Sequence, residues 1–91
     1  MVEAHTITFY GQQADAHGMP VPFHHYLVIA TEAPYLGNGA VASITALTES
    51  AMPAQAVFPV KNATPGHAAE QAIHALESLP QNQALLKCES L

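Results

Sequence analysis

Ninety-one residues, 49% of them hydrophobic and 10% charged, suffice for one domain with a single thin core. Seven carboxylates stand against two lysines and no arginine, giving a formal net charge of -5. Two cations cannot neutralise a run of phosphates, so the composition excludes a nucleic-acid footprint and disfavours an anionic membrane surface.

The chain first alternates between His5 and Tyr10, where Ile7 and Phe9 interleave with Thr6, Thr8 and Tyr10. That pattern predicts a strand. Gly11 to Pro22, punctuated by Gly18, Pro20 and Pro22, reads as a loop. Phe23 to Thr31 predicts the strongest strand. Phe23, His25, Leu27 and Ile29 share one face, and His24, Tyr26, Val28 and Ala30 share the other. Pro34 ends it, and Asn38-Gly39 offers the residues of a tight turn with positive φ. Ala40 to Glu49 carries a helical stripe at Val41, Ile44 and Leu47, but its β-branched density after a turn favours a strand. Gln55 to Asn62 is a fourth strand, and Pro59 within it demands an edge position or a bulge.

A helix follows. Thr64 can cap it and Pro65 suits its first position. Ala69, Ala72, Ile73, Leu76 and Leu79 form its apolar stripe, and Pro80 stops it. Gln81 to Leu91 fits either a short helix or a fifth strand. The expected architecture is an α+β domain spanning residues 1–91. It has an antiparallel sheet of about four strands and one C-terminal helix packed on one face, with 81–91 as a loosely attached tail. One helix covers one face only. The opposite face should expose some of Tyr10, Tyr26 and Val28, or their alternates, and such a face marks an interface. A homodimer stacking these faces is the leading expectation.

Six histidines outnumber the other cations, so charge-driven behaviour depends on pH. With a sequence pI of about 5.5, the chain should self-associate or lose solubility near that pH. His67, Glu70 and His74 share the polar helix face and are the metal candidates. However, His67 and His74 lie roughly 10.5 Å apart along the axis, and a Glu–His pair alone is no zinc site. His24 and His25 point to opposite faces of their strand and cannot chelate together. Either could line an interface with Tyr26, His24 as a pH switch. Asp15 and His17 could join His5 in a small cluster. No motif for nucleophilic catalysis, phosphate cradling or metal hydrolysis is present, so no catalytic residue and no cofactor are expected.

Cys88 is the single cysteine, and Met1 to Tyr10 lacks the basic and apolar regions of a secretory signal. A reducing cytoplasm is the expected setting.

The stretch Thr64-Pro65-Gly66-His67-Ala68-Ala69-Glu70-Gln71-Ala72-Ile73-His74-Ala75-Leu76 resembles the closing helix of double-stranded-RNA-binding domains. It is also similar to the strand–helix junction of HicB-type antitoxins. Pro65, Gly66 and His67 stand where the RNA-binding domains carry lysines. The resemblance therefore implies a shared fold without nucleic-acid affinity. The functional expectation is a non-catalytic protein-interaction or regulatory module acting as a homo-oligomer. The alternative is a small-molecule or metal-binding domain built on histidines.

Overall fold

A computed structural model of the chain describes residues 2–48 and 57–90, with backbone only for Pro20 and Ser90. The elements run β1 (Val2–Ala14), β2 (Pro20–Ala33), a 3-10 turn (Pro34–Leu36), β3 (Gly39–Ala46), β4 (Val57–Val60), α1 (Pro65–Glu77) and β5 (Leu86–Ser90). The strands form one five-stranded sheet in the order β4-β3-β2-β1-β5, antiparallel throughout, and α1 packs on one face.

The α+β class is as expected, with two amendments. A fifth strand joins the sheet, and the helix is not C-terminal. The tail crosses back and pairs with β1 from Thr6↔Ser90 to Tyr10↔Leu86, placing β5 on the edge opposite β4. Pro59 does lie in an edge strand, where its missing N–H faces no ladder. Gln55 and Ala56 of the expected fourth strand, and Glu49 of the third, lie outside the described residues.

The expected loop from Gly11 to Pro22 is mostly strand. β1 and β2 stay paired as far as Ala14↔Pro20, and the turn occupies only the residues between. Pro22 is tolerated because β3 pairs with β2 only from Tyr26 onward, so no strand among the described residues needs its N–H on that side. Asp15 organises the tip: its Oδ1 accepts from the backbone N–H of His17 at 2.8 Å and of Met19 at 2.9 Å. The other turn also differs from expectation. Gly37 (φ 64°) and Asn38 (φ 62°) take the left-handed conformation, one residue earlier than the Asn38-Gly39 pair suggested, and Gly39 already belongs to β3.

The helix begins as its residues dictate. Thr64 is extended (φ -87°, ψ 161°) and its hydroxyl accepts from His67 N–H at 3.2 Å, while Pro65 occupies the first turn. A Cβ at Gly66 would sit 3.1 Å from Glu3 Oε2, so glycine lets the β1 carboxylate approach the positive end of α1. The inward stripe is Ala68, Ala69, Ala72, Ile73 and Leu76, all buried. These small side chains meet Ala30, Ala40 and Ala42 of the sheet within a core that also holds Ile7, Phe9, Tyr26, Val28 and Ile44. No helix among the described residues is long and apolar enough to cross a membrane.

Candidate functional site

The site follows from which face of the sheet the helix covers, and the pairing register of the first hairpin records that. From Val2↔Thr31 to Tyr10↔Phe23 the pairing holds one register. Between Tyr10 and Gln13 it shifts by one residue, continuing as Gln13↔Val21. A one-residue shift exchanges the faces of every following side chain. The register at the hairpin tip, extended without the bulge, would pair Ile7 with Leu27 and leave Tyr10, Tyr26 and Val28 on the open side. With the bulge, Ile7 pairs with Tyr26 and Phe9 with His24. The expectation for Tyr26, Val28 and His24 is therefore corrected: all three are buried under the helix, at 0%, 0% and 6% exposure. Tyr10 and His25 lie on the open face.

Beneath the helix, His24 belongs to a closed polar network. Asn82 uses its amide Nδ2 toward Leu76 O at 2.9 Å and Tyr26 Oη at 3.2 Å, which leaves its Oδ1 as the acceptor at 2.7 Å from His24 Nδ1. The proton of His24 thus belongs on Nδ1. Gln81 Nε2 donates to the same Tyr26 hydroxyl at 3.2 Å, and Phe9 meets the Tyr26 ring edge-on with centroids 6.0 Å apart. No buried side-chain nitrogen or oxygen among the described residues lacks a hydrogen-bond partner. This network fastens the segment after α1 to the sheet and satisfies a helix-terminal carbonyl. It is a structural clamp, and sequence inspection missed Asn82 because nothing marks one polar tail residue as buried.

The open face is different in kind. Its central strand presents Phe23, His25, Leu27, Ile29 and Thr31. β1 adds Val2, Ala4, Thr6, Thr8 and Tyr10, and β3 adds Val41, Ser43 and Thr45. Val57 and Pro59 extend it on one edge, and Leu86 and Cys88 on the other. Several apolar members are well exposed: Val2 66%, Val57 51%, Leu47 49% and Leu86 45%. The charged residues of the strands all avoid it. Glu3 pairs with Ala30, Glu32 with Ala40, Lys87 with Phe9 and Glu89 with Ile7, so all four point to the helix side. On the open face, His25 stacks on Phe23 at 6.0 Å and 21°, and its Nδ1 lies 2.8 Å from Thr8 Oγ1.

The histidines do not converge. His17 sits at the hairpin tip with Asp15, roughly 30 Å along β1 from His5, which instead bonds Glu3 Oε1 at 3.1 Å. His67 and His74 stay on the outer helix face, His67 Nε2 lying 3.5 Å from Gln71 Nε2. Among the described residues no three His, Cys, Asp or Glu side chains lie close enough to hold a metal ion. Between α1 and β5 runs an open groove of about 420 Å³ lined by Glu70, Ile73, His74, Glu77, Lys87 and Glu89. Lys87 bridges it, its Nζ 2.6 Å from Glu77 Oε1 and 3.8 Å from Glu89 Oε2. Donating a hydrogen bond to Glu77 holds the Lys87 amine above its ordinary value of 10.5, partly offset by burial.

No family model, no curated protein and no solved structure matches this chain.

Proposed function

We propose that this protein is a non-catalytic interaction module that self-associates by stacking the open sheet faces of two copies. The observation that carries this reading is charge segregation. Every charged side chain of the described strands points to the helix side, leaving a broad face of aliphatic, aromatic and hydroxyl groups. A partner presenting charges to that face would desolvate them against nothing that pairs them. A second copy brings none. Stacking also leaves both acidic helix faces outermost, separated by two sheets and more than the ~8 Å over which salt screens charge.

The size is adequate. With strands ~4.8 Å apart and like-facing residues ~6.7 Å apart, the face measures roughly 600 Å² in plan, near the ~800 Å² per partner of a stable interface once side-chain relief is counted. Sheets that pack in this way sit ~10 Å apart with interdigitating side chains. Phosphate-bearing partners fit poorly, since Lys87 is engaged by Glu77 and Lys61 stands apart in the turn after β4. The single cysteine, exposed on the face and unpaired within the chain, suits a reducing cytoplasm.

Sedimentation velocity at tens of micromolar and pH 7.5 tests the reading. A dimer supports it, and a monomer across that range sinks it.

A further inference from the structure

His25 is the one imidazole on the open face among the described residues. It lies on the central strand of five, flanked along β2 by Phe23 and Leu27 and across the sheet by Thr8 of β1. On its other side Leu47 N–H donates to the His25 carbonyl at 2.7 Å. Thr8 serves either protonation state, because a hydroxyl can donate to a bare ring nitrogen or accept from a protonated one. The ionisable groups on the same face around the ring, among the described residues, are the Tyr10 phenol and the Cys88 thiol. β3 contributes Thr45 and the two residues after it Leu47 and Thr48, while Lys87 and Glu89 of β5 point away. Among the described residues no carboxylate faces the ring.

We propose that protonation of His25 releases the self-associated state, so the module is gated by pH. The inference rests on the sheet-face reading above. An imidazole on the central strand is covered in any face-to-face stack. An imidazolium there gains a charge that a second uncharged face cannot pair, and burial of an unpaired charge is strongly unfavourable. The associated form therefore binds protons less readily than the free chain. Its stability is fully present where the imidazole is neutral and is lost as falling pH adds the proton. With one imidazole from each copy, the dissociation constant rises on the order of tenfold between pH 7.5 and 6.0.

The bulk charge works in the opposite direction. Acidification brings the net charge from -5 toward zero and weakens repulsion between copies, which tightens association. The two effects differ in sign, so they can be separated.

The experiment is sedimentation velocity on the wild type, His25→Gln and His17→Gln at pH 7.5 and 6.0. The expected result is a dimer that weakens about tenfold in the wild type and in His17→Gln but not in His25→Gln. Equal pH dependence in wild type and His25→Gln, or tightening of the wild type on acidification, overturns the proposal while the dimer itself stands. Absence of a dimer at pH 7.5 overturns both readings together. A second readout uses only the wild type: the NMR titration midpoint of the His25 ring should move to lower pH as protein concentration rises. A midpoint independent of concentration counts against the gate.

Discussion

The two faces of the sheet are built from the same five strands, yet they solve opposite problems. The helix side tolerates charges at its margins, because Glu3 reaches the N-terminal end of α1 and Lys87 meets Glu77. Its centre is filled by Phe9, Tyr26, Val28 and small alanines, and its one polar cluster is fully hydrogen-bonded. The open side has no such margin and no such centre. Among the described residues it spreads half-buried apolar groups among threonines and keeps the charged strand residues away. The first face holds the chain together, and the second takes no part in the core among the described residues.

This contrast can be broken by substitution. Phe9→Ala removes a buried ring from the covered face and should cost about 3–5 kcal/mol, enough to unfold much of so small a domain. Urea denaturation followed by circular dichroism measures it, and a loss under 1 kcal/mol would mean the ring is not packed as described. Asn82→Ala leaves His24, the Tyr26 hydroxyl and the Leu76 carbonyl short of a partner, and should cost about 1–3 kcal/mol on the same assay. On the open face Leu27→Asp, at a half-buried site, should cost about 1–2 kcal/mol of monomer stability while abolishing self-association in sedimentation. If it unfolds the chain instead, the two faces are not independent.

The smallest effect belongs to the groove. Glu77→Gln removes an exposed ion pair worth roughly 0.2–1 kcal/mol. The sign with pH is fixed by the upward shift of Lys87. Its contribution is present below the ordinary lysine value and is lost as pH rises through the raised one. Stability curves of wild type and Glu77→Gln should thus run parallel at neutral pH and converge in strong alkali.

Much of the fold was legible from residues acting locally. Thr64-Pro65 announced the helix start, the alanine and leucine spacing gave its inner face, and Pro59 marked an edge strand. The faces of the sheet were not legible. Alternation in Phe23 to Ala30 showed two apolar sides, and choosing between them required the pairing register with β1. That register includes one extra residue beside Gly11, which leaves no trace in hydrophobic periodicity. The tail was ambiguous for a related reason. Leu86 to Ser90 is a strand because β1 offers it a free edge, a fact of tertiary placement. His25 was visible as a candidate on the face opposite His24, Tyr26 and Val28, but which of the two faces the helix covers was not.

The bulge has a consequence for which changes of length this chain can absorb. Loop tips usually accept insertions of any size, and the turn from Asp15 to Met19 should do so. The stretch between Tyr10 and Gln13 should share this tolerance, because the side chains beyond it, Gln12 to Met19 with Val21 and Pro22, are exposed, and the buried residues hold the register. Removing one residue there should abolish the bulge and turn over only the hairpin tip, while Ile7, Phe9, Tyr26 and Val28 keep their places under the helix.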